Sequence, residues 1–288
     1  MTTLKVNDYS FEYFESGDGF PLVFVHGSAS DYRTWNAQQK EFSKKFRAVS
    51  YSRRYHWPNE PIAEDADYSM MEHVHDLEAL LRSVNAAPAH LVGHSYGAFI
   101  GLLLAIRSPQ LIRTLVLAEP PAITLFVSNT PKPLELIRLL LTRPRVAIAI
   151  IRFGVNGVVS ATKAFQRNDR DEALRIFGEA SLSRETFRSL SPSRLEQVRA
   201  NLIKAELLGS GFPPLNSDEI RQIHIPTLLL NAQRSPRMYH YFLDRIEELM
   251  PNTERTEIPN ASHIMHEDNA PAFTEAVLSF IERNGKTV

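Results

Sequence analysis

The chain has 288 residues, of which 43% are hydrophobic and 23% charged, a composition typical of a globular enzyme with one large domain or a domain with an insertion. The 32 Lys and Arg residues nearly balance the 33 Asp and Glu residues, and the net charge of −1 excludes a global field that attracts nucleic acid or anionic membranes. The absence of cysteine excludes disulfides, thiolate metal sites and a cysteine nucleophile, and it is consistent with a cytoplasmic location.

The N-terminal third alternates predicted strands and helices. Residues 4–14 predict a hairpin, and the continuous apolar run Pro21–Val25 predicts a strand that is covered on both faces. Residues 31–45 and 69–84 then predict helices on either side of a strand at 46–51. No signal peptide is expected, because the chain opens directly into the strand pattern.

The alternation pauses near residue 121 and returns near residue 221. Further strands are predicted at 89–92, 114–118, 226–230 and 253–258, with the last helices at 239–250 and 271–283. The intervening residues 122–220 are helical, rich in arginine and interrupted by prolines. This order predicts an α/β fold with a mostly parallel, doubly wound sheet. Residues 1–121 and 221–288 would form the core domain, and residues 122–220 an inserted helical cap.

Part of the predicted cap is strongly apolar. The segment Leu136–Val155 contains four arginines and Pro144, so we do not expect it to span or insert into a membrane. The stretch 137–159 is instead expected to form the core of the cap, the alternative being a contact with lipid. Its arginines are expected in solvent, the alternative being a contact with an acidic substrate.

The segment Gly93-His94-Ser95-Tyr96-Gly97 is the most informative motif. It follows a predicted strand and precedes the apolar helix 98–105, so the pattern is strand, sharp turn, helix. The flanking glycines allow close approach of neighbouring backbone, and the turn would expose the Ser95 hydroxyl at the carboxyl edge of the sheet. We therefore interpret Ser95 as a nucleophile.

Together these motifs resemble the α/β-hydrolase superfamily, in its branch with a helical cap. The resemblance is carried by Val25-His26-Gly27, by Gly93 to Gly97, and by Ser262-His263 before the last helix. It covers essentially the whole chain. It implies an α/β-hydrolase fold and a cofactor-independent serine hydrolase, with Ser95 as nucleophile and His263 as its base. The alternative base is His266, although its position in the family often holds a structural side chain. A metal site at the two histidines is not expected, for want of a third ligand at suitable spacing.

The acid of the triad departs from the family's commonest pattern. Many relatives place an aspartate in the loop after the seventh strand, where this chain has Ser235. A neutral serine cannot stabilise the imidazolium that forms when His263 takes a proton. Glu119 follows the strand 114–118, which would end at the same sheet edge as Ser95, and some capped relatives carry their acid there. Glu119 is the predicted acid; the alternative is a glutamate paired with a cap arginine.

The resemblance also implies an oxyanion hole. The backbone N–H groups of Ser28 and Tyr96 would bind the developing negative charge of the carbonyl oxygen. Two aromatic residues are candidates for the lining of the pocket. Trp35 would line its floor or anchor a helix, and Trp57 would narrow its mouth or pack in a surface loop formed by residues 52–58.

The function expected from these features is hydrolysis of a small carboxylic ester or lactone through Ser95, His263 and Glu119, without a cofactor. A carbon–carbon bond hydrolase or an acyltransferase could use the same residues. A ligand-binding protein that retains the fold is the third possibility, because a fold alone does not establish chemistry. Epoxide hydrolase and dehalogenase chemistry are not expected, since those relatives have an aspartate nucleophile in place of Ser95. The substrate and the oligomeric state are left open.

Overall fold

The computed structural model describes residues 2–62, 69–201, 206 and 211–285, in which the strands form one sheet with helices on both faces. The strands are β1 (Thr2–Val6), β2 (Tyr9–Ser16), β3 (Pro21–Val25), β4 (Arg47–Tyr51), β5 (Ala89–His94), β6 (Ile112–Ala118), β7 (Thr227–Ala232) and β8 (Thr253–Ile258). Their order is β1-β2-β4-β3-β5-β6-β7-β8; β2 pairs antiparallel with both β1 and β4, and the remaining pairs are parallel. The predicted fold class is confirmed.

The helices fall into three groups along the chain. Those before β6 are α1 (Asn36–Phe42), α2 (Met70–Ser83) and α3 (Tyr96–Arg107). Those between β6 and β7 are α4 (Pro133–Thr142), α5 (Pro144–Arg152), α6 (Ser160–Gln166), α7 (Arg170–Leu182), α8 (Arg184–Arg188), α9 (Pro192–Asn201) and α10 (Ser217–Arg221), with a π-helical segment at Phe153–Val159. The last are α11 (Arg237–Leu249), α12 (Met265–Asp268) and α13 (Ala270–Asn284). The predicted helix 31–45 is shorter, a 3₁₀ turn at Tyr32–Trp35 followed by α1.

The alternation of side chains along each strand divides the core into two layers. In β3, Val23 belongs to the layer packed against α2, α3 and α11, whereas Leu22 and Phe24 belong to the layer under α1 and α13. The same alternation continues in the neighbouring parallel strands. Because both faces are covered, these strands are apolar at nearly every position, which explains the unbroken hydrophobic runs in the sequence.

The helical segment after β6 lies over the carboxyl edge of the parallel strands. Side chains of α5, α7 and α8 face the ends of β3 and β5 across a cavity. Of the predicted cap, 122–220, residues 202–205 and 207–210 lie outside the described part of the chain. The carboxyl ends of β3 and β5 therefore face the cavity beneath this helical segment.

Candidate active site

Ser95 occupies the sharp turn between β5 and α3. Its φ of 51° and ψ of −119° are unfavourable for a residue with a side chain, and such strain is found where a turn must expose a functional group. The backbone fixes this conformation, because Ser95 N–H donates to the Ala118 carbonyl on β6 at 2.8 Å and Ser95 C=O accepts from Phe99 N–H at 3.1 Å. The side chain of Ser95 is partly exposed and lines the cavity.

Glycine at two positions allows this turn to sit against the end of β3. A Cβ atom on Gly97 would lie 2.2 Å from the Val25 carbonyl oxygen, and one on Gly27 would lie 3.1 Å from the Cβ of Ser95. The first contact is far inside van der Waals distance, so only glycine fits there. The close approach brings the residues after β3 next to Ser95, where an oxyanion hole would have to be.

Glu119 follows β6, the strand that neighbours β5. Its backbone has φ 49°, a second left-handed residue at this edge of the sheet, and its side chain is fully buried. One carboxylate oxygen, Oε1, accepts from Ala232 N–H at 2.8 Å, and the other, Oε2, accepts from the Ser235 hydroxyl at 2.7 Å. Oε2 also lies 2.6 Å from Nδ1 of His263. The structure thus brings Glu119 and His263 together, as the sequence predicted, and Ser235 supports the carboxylate.

The imidazole of His263 is held on several sides. Tyr239 of α11 stacks on it with ring centroids 3.9 Å apart and an angle of 10° between the planes. The His263 carbonyl lies 2.7 Å from Nε2 of His94, whose own ring is 4.8 Å from the His263 ring. The pKa of His94 is held well below its ordinary value, first by burial. His94 therefore stays neutral beneath the site.

The alternative base, His266, occupies a different environment. It is buried, its Nε2 lies 2.8 Å from the Thr34 hydroxyl, and its ring is 4.4 Å from the ring of Trp35. Burial lowers its pKa to about 4. Its ring also lies 4.5 Å from that of His94, and it does not line the cavity, so the structure favours packing over a role as base.

The residues predicted to form the oxyanion hole, Ser28 and Tyr96, both line the cavity beside Ser95. Tyr96 is the first residue of α3, where backbone N–H groups have no intrahelical acceptor and the helix dipole favours negative charge. Ser28 follows Gly27 in the turn after β3. Their position agrees with the predicted backbone roles, which stay a prediction.

The cavity above these residues has a volume of about 530 Å³. Ser95, His263 and Tyr239 lie on its sheet side, and most of its other walls are apolar side chains from the helical segment, including Ile150, Val155, Leu174, Phe177 and Phe187. A cavity of this size and character suits a small, largely apolar molecule.

Neither tryptophan proposed as pocket lining belongs to this cavity. Trp35 is fully buried in the layer under α13, with its ring 4.9 Å from that of Phe24. Its turn packs on the face of the sheet that α1 and α13 cover, and Trp35 does not line the cavity. Trp57 is 40% exposed and stacks with Arg33, whose guanidinium carbon lies 3.8 Å from the ring centroid. The prediction that they line the pocket is wrong for both residues.

The sequence analysis missed a buried charged group beside the predicted oxyanion hole. The loop expected to lie on the surface, 52–58, buries Arg53 and His56 completely. We call Arg53, His26, His56, His73 and Glu206 the Arg53 cluster. The Arg53 guanidinium lies 2.5 Å from Oε1 of Glu206 and donates to the carbonyls of His26 at 3.1 Å and Gly27 at 3.0 Å. Arg53 therefore connects the turn after β3 to the helical segment that contains Glu206.

Arg53 also contacts Tyr96, one of the two residues predicted to form the oxyanion hole. Its guanidinium carbon lies 4.6 Å from the ring centroid of Tyr96. Burial raises the pKa of Glu206, but the charge of Arg53 outweighs it and leaves that pKa below its ordinary range. Burial and the charge of Arg53 together hold the pKa of His26 and His73 well below normal. The cluster therefore contains one ion pair surrounded by neutral imidazoles, and it contacts the backbone before Ser28 and the ring of Tyr96.

A metal centre finds no support in the described residues, where no group of three or more His, Asp or Glu side chains could hold an ion. The chemistry available at the site is that of a serine hydroxyl, an imidazole and a buried carboxylate.

Comparison with known proteins agrees with this architecture. A model of the alpha/beta hydrolase family matches residues 22–276. The chain belongs to the α/β-hydrolase family.

Individual relatives are distant. The chain is 30% identical over 107 residues to an (E)-2-((N-methylformamido)methylene)succinate hydrolase from Acinetobacter baylyi. The matched region spans 37% of this chain and 40% of that enzyme. The chain is 25% identical over 263 residues to an sn-1-specific diacylglycerol lipase from Mus musculus, covering 90% of this chain and 80% of the lipase. The solved structure of naproxen esterase from Bacillus subtilis superposes with a TM-score of 0.70 at 18% identity, over 97% of this chain and 90% of the esterase. At that identity the esterase supports the fold alone.

Proposed function

We propose that the protein is a serine hydrolase of small, largely apolar carboxylic esters or lactones, with Ser95 as nucleophile, His263 as base and Glu119 as acid. The observation that supports this most strongly is the buried contact of 2.6 Å between Glu119 Oε2 and His263 Nδ1, beneath a cavity that Ser95 also lines. A carboxylate in that position fixes the imidazole tautomer and stabilises the imidazolium, as the acid of a triad must.

The proposed reaction has two steps. The Ser95 hydroxyl oxygen attacks the carbonyl carbon while its proton passes to Nε2 of His263, and the oxyanion is bound by the N–H groups of Ser28 and Tyr96. The carbon–oxygen bond to the alcohol breaks as His263 returns the proton to the leaving oxygen. A water molecule, deprotonated by His263, then releases the acid and restores Ser95. With a lactone the alcohol stays attached to the released acid.

The cavity supports the choice of substrate class. Its volume of about 530 Å³ and its apolar walls favour an uncharged substrate with hydrocarbon groups, and the helical segment 122–220 would act as the cap that excludes water from it. The residues of the triad do not depend on a cofactor in this mechanism.

The test is labelling of the purified protein with a small fluorophosphonate, with the adduct located by mass spectrometry. Stoichiometric modification of Ser95, absent in Ser95→Ala, is expected. The same preparations would be assayed with p-nitrophenyl esters, lactones and a β-diketone of matched size. Cleavage of the diketone alone would favour the carbon–carbon hydrolase, and product esters formed only with added alcohol would favour an acyltransferase. A folded protein that neither labels nor turns over any of them would contradict the proposal.

A further inference from the structure

Exposed apolar side chains are concentrated on one part of this molecule. Among the described residues, eleven large hydrophobic side chains are exposed, and eight of them lie between residues 134 and 159. The two most exposed, Leu134 at 76% and Leu141 at 79%, belong to α4. The expectation that this stretch forms the core of the cap is therefore wrong for its outer side: only the inner side chains, such as Ala147 and Ile150, are buried.

The spacing of these residues places them on one side of each of two adjoining helices. In α5 and the π-helical segment, Ile148, Ile151, Val155 and Val159 recur every three or four residues and so share one side of the helical stretch 144–166. In α4, Leu134, Ile137 and Leu141 recur in the same way, and α4 packs directly against α5. We call these seven residues the apolar face. No element in the described part of the chain covers it, and water-soluble monomers rarely leave several large apolar side chains exposed side by side.

The charge around the apolar face is mostly positive. Residues 132–167 contain seven basic residues and a single acidic one, Glu135, although the whole chain has a net charge of −1. All seven basic residues are exposed; they are Lys132, Arg138, Arg143, Arg145, Arg152, Lys163 and Arg167. Arg138, Arg145 and Arg152 form no ion pair with any residue in the described part of the chain. The carboxylate of Glu135 accepts hydrogen bonds from Ser128.

We propose that the apolar face and its surrounding basic residues bind the surface of an anionic lipid bilayer. Long apolar side chains bordered by arginines fit the boundary between acyl chains and negatively charged headgroups. A second copy of the chain is a poorer partner, because a two-fold interface would place this positively charged surface against itself. The helical stretch 144–166 is long and apolar enough to cross a membrane by length and composition, but Arg152 lies near its middle and its inner side packs on the protein. It therefore lies on the bilayer.

The apolar face is continuous with the cavity. Ile151, Val155 and Val159 are exposed and also line the cavity that contains Ser95. A molecule dissolved in the outer part of a bilayer could enter the cavity along apolar side chains. This consequence depends on the proposed function: the hydrolase would draw its esters from the lipid phase. The binding itself does not depend on catalysis.

The experiment is co-sedimentation of the purified full chain with vesicles of phosphatidylcholine alone or with 30% phosphatidylglycerol, at low and high salt. Binding to the anionic vesicles is expected to be at least 10-fold tighter, and to weaken at high salt, because exposed charges are screened. Replacing three basic residues together, Arg138→Gln, Arg145→Gln and Arg152→Gln, is expected to reduce the affinity about 100-fold. The pair Leu141→Ser and Ile148→Ser is expected to reduce it about 10-fold or more.

Two controls test whether vesicle binding depends on the apolar face itself. Arg107→Gln, Arg221→Gln and Arg283→Gln together remove three arginines that are also exposed but lie outside the apolar face, each in a surface ion pair, and should leave binding unchanged. Ser95→Ala should bind vesicles like the wild type, so a failure of the proposed catalysis cannot be mistaken for a failure of binding. Equal binding to both vesicle types, or none, would overturn the proposal. A dimer in sedimentation velocity that Leu141→Ser and Ile148→Ser dissociate, without vesicle binding, would assign the face to a second copy.

Discussion

Replacement of Glu119 by glutamine tests the acid with the smallest change in shape. Oε1 must remain an oxygen, because it accepts from Ala232 N–H, so the amide nitrogen of Glu119→Gln would take the place of Oε2 beside His263. An amide nitrogen donates hydrogen bonds, so Nδ1 of His263 would become an acceptor and its proton would move to Nε2. In that tautomer His263 cannot take the proton of Ser95. The charge that stabilises the imidazolium is lost as well.

The expected loss is about 10⁴-fold in the acylation rate, by analogy with the tautomer reversal in other serine triads. This corresponds to about 5.5 kcal/mol in the activation free energy. The rate is measured as the second-order rate constant of fluorophosphonate labelling, and as kcat/KM for a p-nitrophenyl ester. Ser235→Ala is the matched control: it removes a donor to the same carboxylate oxygen without changing its charge, and should cost less than 10-fold. Equal rates for Glu119→Gln and Ser235→Ala would refute the assignment.

A carboxylate at position 235 should partly rescue the loss of Glu119. Its hydroxyl lies 2.7 Å from the Glu119 oxygen that contacts His263, so a slightly longer carboxylate at this position would approach the same imidazole. Ser235→Asp added to Glu119→Gln is expected to recover at least 10-fold of the lost labelling rate. In the wild-type background Ser235→Asp should instead destabilise the protein, because it would bury two carboxylates side by side. Recovery no greater than that produced by Ser235→Asn would contradict this geometry.

Three further predictions concern the surroundings of the triad. Tyr239→Leu removes the ring stacked on His263 and should lower kcat about 10-fold with little change in KM. Tyr239→Phe keeps the ring and should keep the rate. Equal losses in both variants would contradict the stacking role. Glu206→Leu removes the carboxylate that pairs with the buried Arg53 and should lower the free energy of unfolding, measured by urea denaturation, by about 3–5 kcal/mol. Adding Arg53→Met should restore part of that loss. Burial lowers the pKa of His266 to about 4 in the folded protein, whereas its ordinary pKa in the unfolded chain is 6.5. Below pH 6.5 the unfolded chain therefore binds a proton that the folded protein does not, and the free energy of unfolding falls as the pH falls toward 4. Between pH 6 and pH 5 the free energy of unfolding of His266→Gln should therefore fall by about 1 kcal/mol less than that of the wild type. An equal fall in both proteins would refute this role of His266.

The fold could be predicted from the sequence because its signals are local. The apolar runs that become β3, β5, β6 and β7 have the length of buried strands, and the segments between them have helical spacing. The family relationship confirms this architecture. The boundaries were less predictable: the segment 31–45 divides into a 3₁₀ turn, which the Asp31 side chain caps by accepting from Arg33 N–H, and the helix α1.

The aromatic and charged residues near the site were predicted least well. Trp35 and Trp57 could be assigned to the pocket only by their size, and the structure places both elsewhere. Arg53 carries no signal of burial in the sequence, because its neighbours in the loop 52–58 are polar or aromatic. Its burial depends on Glu206, which lies 153 residues further along the chain. No local pattern could pair two charges so far apart.

The sequence by itself determined the features that depend on neighbouring residues: the turn at Ser95, where glycines and a following helix are contiguous in the chain, and the alternation that buries the sheet on both faces. The sequence also predicted Glu119 as the acid, because the loop after β7 has no carboxylate, but only the tertiary structure shows what holds its side chain against His263. The ends of β6 and β7 are adjacent, so a side chain from either could reach the imidazole. The left-handed backbone at Glu119 and the donors Ala232 and Ser235 hold its carboxylate there. The exposure of the helices at 134–159 was likewise decided by packing, because an apolar helix has the same sequence pattern whether its outer side meets protein, water or lipid.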